Sequence, residues 1–375
     1  MSEKVKRKLK DIGCEFISGF GFKSSDYTSS GIPLIKIGNI QNRIVSVDVN
    51  GTYVSEHIIN EKIKQVFLAN NDVLIAMTGQ GSVGRVGRLK LRNNDKALLN
   101  QRVGKFICDE KNINIDYLYY VLTSDKYQDY LFNTGAGSGQ PNLSPALILQ
   151  TEIPWWKYEI QKAIAEVLSS LDDKIDLLHR QNKTLEQMAE TLFRQWFVEE
   201  ADESWEVGVL SDFIKIGSGK GLKKDKFIKD GEYPILGANG EIGRTNNYLF
   251  DEKLIFTGRV GTLGNVFRVE DKKVWLSDNT LIIRPKKYYN YIYFILKNAK
   301  LGQYNVGSTQ PLVRQSDVKE IEILITKETL HTSFEEQSEL YFKKINKNQS
   351  QIRTLEKMRD TLLPKLMSGE VRVKI

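Results

Sequence analysis

The chain has 375 residues, of which 41% are hydrophobic, and this composition excludes a disordered protein. Its length exceeds that of a single ordinary core and therefore favours two or three domains. Lysine and arginine number 54 against 47 acidic residues, and the resulting charge of +7 is compatible with a polyanionic partner without requiring one.

The N-terminal segment and the cysteines exclude further classes. Residues 1–8 are basic but lead into no apolar stretch, and no run is long enough to span a bilayer, so we expect a cytoplasmic protein without membrane association. Cys14 and Cys108 lack the Cys-x-x-Cys spacing of a metal site, and the three histidines are scattered. The sequence thus predicts neither a disulfide framework nor a bound metal.

The first predicted element is a globular domain over residues 1–154. Residues 73–77 form an apolar run typical of a strand, and the glycine-rich segment 78–85 follows as a turn. Residues 115–131 show the spacing of an amphipathic helix, and a second glycine-containing loop follows at 137–142. This mixture predicts a compact α/β or α+β domain.

A long helix is predicted over residues 155–199. From Leu168 to Leu192 its core positions alternate at spacings of four and three, which is the pattern of a coiled-coil seam. A helix lying on a globular core would show a broader apolar stripe that drifts with the 3.6-residue period. The heptad therefore favours a two-stranded seam.

The rest of the chain repeats these features in the same order. A second globular domain is predicted over residues 200–328, with a strand at 253–257 and a glycine-rich turn at 257–262, and a second helix is predicted over 329–375. Pro33 matches Pro234 at an offset of 201, the glycine turns match at 180, and residues 185–188 match 355–358 at 170. This alignment places Val260 opposite Gln80. Because the offset only shrinks, it indicates two homologous halves with deletions in the second.

Two helical seams in one chain are predicted to pair with each other. The fold class is therefore α+β: two similar α/β domains joined by two long helices that form an antiparallel coiled coil with pseudo-two-fold symmetry. Asn182 and Asn348 are expected to meet in one layer, and Pro364 to kink or end the second helix. The predicted seam residues are Leu168, Leu171, Ile175, Leu178, Asn182, Leu185, Leu192, Ile345, Asn348, Ile352, Leu355 and Leu362.

This predicted architecture suits a split DNA target. Equivalent groove faces of B-DNA recur roughly every 34–36 Å, and a helix of about 35 residues is roughly 50 Å long. Two similar but non-identical readers on such a rod would address two different half-sites. The expected target is asymmetric and bipartite.

The whole chain resembles the specificity subunit of type I restriction-modification enzymes. The resemblance rests on the twofold repeat, on the sequence of residues 161–168 and 185–188 in the first predicted helix, and on the segment 362–371. It implies that the globular regions are target recognition domains and that the helices are spacers. It further implies double-stranded DNA, two methyltransferase subunits and a restriction and translocase subunit as partners. S-adenosylmethionine, ATP and Mg²⁺ would act in those partner subunits, and no cofactor would bind to this chain.

The glycine-rich turns and the lysine cluster are the predicted DNA contacts. Glycine allows close approach of the backbone, while Gln, Asn and Arg side chains suit base edges and Lys suits phosphates. Ordinary structural turns and a solvated charged face remain alternative interpretations. The candidate residues are Gln80, Ser82, Arg85, Ser138, Gln140, Asn142, Lys223, Lys224, Arg259, Thr262, Ser308, Thr309, Gln310 and Arg314.

Two other classes of function compete with this interpretation. A stand-alone methyltransferase or nuclease would need a catalytic site, and we identify no catalytic residue. The string 217–221 lacks the first glycine of a phosphate loop, at Ile214, and has Gly221 where such a loop has Ser or Thr. A coiled-coil scaffold would explain the helices but not the two turn-rich domains.

Overall fold

The computed structural model describes residues 5–47, 51–91, 95–136, 141–260, 263–304 and 312–374. The chain divides into two compact units. Unit 1 comprises Met1–Leu177 with Gln351–Ile375, and unit 2 comprises Leu178–Ser350. Each unit therefore contains one of the predicted globular domains and a segment of each long helix. In the described ranges, no helix is long and apolar enough to cross a membrane.

Unit 1 is a mixed α+β domain built on two main sheets. The strands are β1 (Lys6–Lys8), β2 (Cys14–Ser18), β3 (Tyr27–Thr28), β4 (Ile32–Ile35), β5 (Ile40–Gln41), β6 (Ile44–Ser46), β7 (Tyr53–Val54), β8 (Phe67–Leu68), β9 (Val73–Ala76), β10 (Val86–Lys90), β11 (Ala97–Leu99), β12 (Val103–Cys108) and β13 (Glu152–Pro154). They pair in the orders β2-β12-β9-β10-β6-β5 and β3-β7-β4-β11-β8, with β1-β13 as a separate pair. The helices that begin in this unit are α1 (Glu61–Lys64), α2 (Ile115–Thr123), α3 (Asp125–Gly135), α4 (Pro145–Leu149) and α5 (Tyr158–Arg194).

Unit 2 has the same plan with fewer strands. The strands are β14 (Glu206–Val209), β15 (Ile214–Ser218), β16 (Tyr233–Gly237), β17 (Gly240–Thr245), β18 (Leu254–Gly258), β19 (Val266–Val269), β20 (Trp275–Leu276), β21 (Thr280–Pro285) and β22 (Glu322–Ile325). They form sheets with the orders β15-β21-β18-β19, β17-β16-β20 and β14-β22. The helices are α6 (Tyr289–Asn298), α7 (Gln315–Lys319) and α8 (Glu328–Ser368).

The predicted repeat is confirmed by the strand orders and by individual hydrogen bonds. The order β2-β12-β9-β10 in unit 1 corresponds to β15-β21-β18-β19 in unit 2. In unit 1 the hydroxyl of the buried Tyr117 donates to the Pro154 carbonyl at 2.9 Å. In unit 2 the hydroxyl of Tyr291 donates to the Leu324 carbonyl at 2.9 Å. Each tyrosine thus fastens the helix after the main sheet to the strand that precedes a long helix.

One predicted helix is divided in the structure. The helix expected over 115–131 is interrupted at Ser124, whose extended backbone, with ψ 147°, separates α2 from α3. The Ser124 hydroxyl donates to the Val121 carbonyl at 2.7 Å, and the Ser124 amide donates to the same carbonyl at 3.2 Å. The predicted strands at 73–77 and 253–257 are present as β9, which ends one residue earlier, and β18, which begins and ends one residue later.

The two long helices run antiparallel in unit 2. Asn348 of α8 donates to Asn182 of α5 at 2.9 Å, whereas Phe334, nearer the start of α8, lies 6.0 Å between ring centroids from Phe193, nearer the end of α5. In unit 1, Arg359 of α8 pairs with Asp172 of α5 at 2.8 Å. Every predicted seam position is buried or half-buried, as a coiled-coil seam requires.

The apolar face of α5 is nevertheless wider than a two-stranded seam. At its start, Ile164 and Ala165 belong to the core of unit 1, and after Leu192 the helix also buries Phe193 in the core of unit 2. Neither a narrow seam nor a broad apolar stripe alone therefore describes the buried face of α5. The helix uses a narrow seam in its middle and a broad stripe where a globular domain packs on it.

Pro364 was expected to kink or end the second helix, and the structure shows that the helix does not end there. Helix α8 continues through Pro364 to Ser368. Proline forfeits one backbone donor, but Leu366 and Met367 in the next turn are buried in the core of unit 1, which stabilises the continued helix. The helix stops at Gly369, whose φ of +74° is the left-handed conformation typical of a helix terminus.

The predicted contact between the two seam asparagines is present in unit 2. The Asn348 Nδ2 donates to Asn182 Oδ1 at 2.9 Å. Asn348 is fully buried and Asn182 is half-buried. We expect Asn182→Leu alone to destabilise the protein by about 1–3 kcal/mol, because it leaves the buried Asn348 Nδ2 with only the long bond to Gln181 Oε1 at 3.5 Å. The double change to Leu should be neutral or stabilising. A double-mutant cycle in urea measures this coupling, and strictly additive single effects would refute it.

His331 of α8 lies in an aromatic cluster of unit 2. Its ring stacks on Tyr288 at 4.4 Å and on Phe197 at 5.3 Å between centroids. His331 is 3% exposed, and its buried Nδ1 has no hydrogen-bond partner in the described part of the chain. Burial lowers the pKa of His331 from 6.5 to about 4, so the ring is neutral at physiological pH.

This burial predicts acid lability. Below pH 6.5 the unfolded chain protonates the imidazole while the folded chain does not, so stability falls as the pH drops from 6.5 towards 4. The loss attributable to this ring should be about 2 kcal/mol at pH 5. Urea unfolding of the wild type and His331→Phe at pH 7.5 and pH 5 measures it. The variant should lose that much less stability on acidification, and an equal loss in both proteins would contradict the assignment.

The two cysteines, far apart in sequence, face each other in unit 1. Cys14 and Cys108 lie opposite each other on β2 and β12, and their Sγ atoms are 3.3 Å apart as free thiols. The hydrogen bond with Cys14 and burial raise the pKa of the Cys108 thiol above its ordinary value. The Cys108 thiol is therefore protonated and unreactive as a nucleophile.

Candidate nucleic-acid interface

The two loops predicted to contact DNA converge in each unit. In unit 1, Thr78 forms an antiparallel bridge with Asn142, and the Leu143 amide donates to the Met77 carbonyl at 2.7 Å. In unit 2, Val260 bridges Leu312 in the same way. The segment after the central strand thus lies against the segment before the short helix α4 or α7.

These bonds correct the alignment of the glycine turns. The Val313 amide donates to the Arg259 carbonyl at 3.0 Å, which repeats the bond from Leu143 to Met77. Val260 therefore occupies the place of Thr78, and the sequence-based match of Val260 with Gln80 is wrong. The physical reason is a turn two residues shorter in unit 2: Ile75 pairs with Val86, and Thr257 with Val266.

Sequence reasoning missed a third turn at the same edge. It joins β11 to β12 in unit 1, with Gln101 and Arg102 exposed, and β20 to β21 in unit 2, with Asp278 and Asn279 exposed. A short polar tip between two buried apolar strands was the available signal. We refer to the three converging segments in each unit as the loop edge. They are residues 77–85, 100–102 and 141–143 in unit 1, and residues 259–260, 277–279 and 312–314 in unit 2.

The third turn is held to the rest of the loop edge by equivalent bonds in the two units. The Met77 amide donates to the Arg102 carbonyl at 2.9 Å, and the Arg259 amide donates to the Asn279 carbonyl at 2.8 Å. Arg102 and Asn279 therefore occupy equivalent positions.

Glycines at the end of β2 and β15 allow this edge to form. A Cβ at Gly19 would lie 2.3 Å from the Asn100 carbonyl oxygen, and one at Gly219 would lie 2.0 Å from the Ser277 carbonyl oxygen. Such distances are impossible for any side chain, so only glycine permits the strand end to rest against the turn. The same close approach in both units fixes the position of the third turn.

The predicted residues of unit 1 that the structure describes lie on the exposed surface of the loop edge. Gln80, Arg85 and Asn142 are exposed and Ser82 is half-buried. The turn is closed by the Ser82 amide, which donates to the Gly79 carbonyl at 3.0 Å. Within the described ranges, the side chains of Gln80, Arg85 and Asn142 have no ion pair or hydrogen bond, so their donors and acceptors are available to a ligand.

The predicted residues of unit 2 differ in availability. Lys223 and Lys224 are exposed, and Arg259 is half-buried. Arg314 is exposed but committed: its Nη2 and Nε lie 2.9 and 3.2 Å from Asp317 Oδ1, and the hydrogen bond from Arg314 lowers the pKa of that carboxyl. Since Asp317 also accepts the Arg314 amide at 2.9 Å, this arginine chiefly starts helix α7.

Six of the predicted contact residues lie outside the described residues. They are Ser138, Gln140, Thr262, Ser308, Thr309 and Gln310.

Gln161 has a structural role at the start of α5. It is fully buried, accepts the Asn114 amide at 3.0 Å and donates to the Trp156 carbonyl at 2.8 Å. In unit 2 a different residue has a similar role: Glu335 of α8 accepts the Tyr291 amide at 2.8 Å. Both side chains satisfy backbone donors at the start of the helix after the main sheet. Gln161 is thus unavailable to a partner protein.

Two copies of one α+β domain, each packed on its own segment of an antiparallel helix pair, define the class of protein. The family model of the type I restriction modification DNA specificity domain matches residues 1–187 and again 202–328. The chain therefore belongs to the family of type I restriction-modification specificity subunits.

Individual relatives agree with this assignment. The MjaIX specificity subunit of Methanocaldococcus jannaschii is 26% identical over 98% of this chain and 93% of its own length. The HindI specificity subunit of Haemophilus influenzae is 34% identical over 25% of this chain and 22% of its own. The crystal structure of the type I S subunit from M. genitalium has the same fold, with a TM-score of 0.62 and 18% identity over 98% of this chain and 97% of that one.

Proposed function

We propose that this chain recognises DNA for a type I restriction-modification complex, each globular domain reading one half of an asymmetric bipartite target. Two methyltransferase subunits and a restriction and translocase subunit would dock on it. S-adenosylmethionine, ATP and Mg²⁺ would be used by those subunits, and this chain would perform no chemistry itself.

The loop edge is the observation that carries the proposal. Both units hold it with equivalent backbone bonds, such as those that link Arg102 to Met77 and Asn279 to Arg259. The side chains at the tips differ between the units. A shared frame with different exposed polar groups is what two readers of different half-sites require.

The electrostatics of unit 2 support contact with the DNA backbone. The Lys220 amide donates to the Leu276 carbonyl at 2.9 Å, so the basic segment begins at the loop edge. Lys223 and Lys224 follow at the surface. Exposed lysines beside a base-reading edge suit phosphates, which position a protein on the duplex without specifying sequence.

Methyl transfer by purified components tests the proposal. The chain alone with S-adenosylmethionine should methylate no DNA, and addition of the modification subunits should produce methylation confined to one target. Methylation by the chain alone would favour a stand-alone methyltransferase. A complex whose binding to duplex DNA does not weaken steeply with salt would favour a scaffold.

A further inference from the structure

One turn of each loop edge carries side chains suited to distinguish bases. These are Gln101 and Arg102 between β11 and β12, and Asp278 and Asn279 between β20 and β21. All four are exposed. Equivalent positions therefore present different hydrogen-bonding groups: a guanidinium in unit 1 corresponds to a carboxamide in unit 2.

Each turn is closed by a backbone hydrogen bond to a buried residue. The Val103 amide donates to the Asn100 carbonyl at 2.8 Å, and the Thr280 amide donates to the Ser277 carbonyl at 3.1 Å. Asn100 and Ser277 are each only 7% exposed. A tip mounted on a buried, hydrogen-bonded base holds its side chains with the constancy that direct readout needs.

The first tip residue lies over a glycine in both units. A Cβ at Gly21 would stand 2.6 Å from Gln101 Oε1, and one at Gly221 would stand 3.3 Å from Asp278 Oδ2. The second tip residue, Arg102 or Asn279, has no side-chain hydrogen bond or ion pair among the residues that the structure describes. Its donors are free, whereas those of Arg314 at the same edge are engaged by Asp317.

We infer that Arg102 reads a guanine in the half-site of unit 1 and that Asn279 reads an adenine in the half-site of unit 2. The inference rests on the proposed function. A guanidinium donates two parallel hydrogen bonds to O6 and N7 of guanine, whereas a carboxamide donates to N7 and accepts from N6 of adenine. The shared backbone of the turns places the two readers equivalently, and only the side chain sets the base.

The test uses the full chain in complex with its modification subunits. Methylome sequencing first defines the target of the wild type, and binding is then measured on that duplex and on duplexes with single base-pair substitutions. Arg102→Asn should weaken binding to the target about 5- to 150-fold and remove discrimination at one G·C pair of one half-site. Asn279→Arg should do the same at one A·T pair of the other half-site.

Two further variants sharpen the result. Arg102→Lys keeps the charge but replaces the planar guanidinium fork by a single ammonium group, so it should weaken discrimination at that pair. Lys10→Asn removes one charge from an exposed residue that precedes β2, whereas Gly19 and the loop edge follow that strand. It should retain the wild-type target, affinity and discrimination.

The possible outcomes separate the inference from the proposed function. If Arg102→Asn weakens binding to every duplex alike and makes its salt dependence shallower, Arg102 contacts phosphate and the inference is overturned while the proposed function stands. Unchanged discrimination in Arg102→Asn and Arg102→Lys overturns it as well. A wild-type complex without sequence preference overturns the proposed function and the inference together.

Discussion

Replacing residues 1–154 by the corresponding domain of a relative should change one half-site of the DNA target and leave the other unchanged. Each unit has its own loop edge, with its own set of exposed side chains, so the proposed base contacts are separable. Affinity for the original target should fall by about a hundredfold or more, because each mismatched base pair in the exchanged half-site costs about 1–3 kcal/mol. Methylome sequencing of a host that carries the chimera reads both half-sites at once.

The exchange must preserve the packing of the domain on the long helices. Ile164 and Leu168 of α5 and Leu366 of α8 belong to the same core as the domain of unit 1. The donor should therefore have residues of similar volume at these helix positions. Exchange of residues 200–328 is the matched control and should alter the other half-site only. A chimera in which both half-sites change together would contradict two independent readers.

Phe193→Ala should destabilise the protein by about 3–5 kcal/mol. Phe193 of α5 is 2% exposed, and its ring stacks on Phe294 of the globular domain at 5.4 Å between centroids. It also contacts Phe334 of α8 at 6.0 Å. Truncation would leave a cavity where one side chain joins two helices and a domain. Urea unfolding followed by circular dichroism measures the loss.

Met188→Ala on the same helix is the control for that experiment. Met188 is 46% exposed, and surface substitutions of this kind usually change stability by no more than about 0.5 kcal/mol. Phe193→Leu should give an intermediate loss. If Phe193→Ala and Met188→Ala were equally mild, α5 would not be part of the core of unit 2.

The heptad spacing of the two long helices explains which of their features could be predicted from the sequence. Heptad spacing identified the buried positions and brought Asn182 and Asn348 into one layer, because periodicity records which face of a helix is buried. It could not reveal that Phe193 is buried by a separate domain, since contacts distant in sequence leave no local pattern. The continuation of α8 past Pro364 escaped prediction for the same reason: the stabilising contacts are tertiary.

The loops of the candidate site could be predicted from the sequence, but the residue-by-residue correspondence between the two units could not. Glycine-rich turns drew attention to residues 78–85 and 257–262, and matching glycines then misplaced Val260. The strand pairing of β18 with β19 determines the register, and hydrogen bonds between strands are invisible in a single sequence. Arg102 and Asn279 were missed because their turn contains no glycine, while the glycines that accommodate it, Gly19 and Gly219, lie far away in sequence.

Methylome sequencing of a host with and without this chain, in the presence of its modification subunits, tests the central claim most directly. The account predicts methylation at one asymmetric target, made of two half-sites separated by bases that are not read, and its complete loss when the chain is deleted. Methylation that persists without the chain, or a continuous palindromic target, would contradict the account.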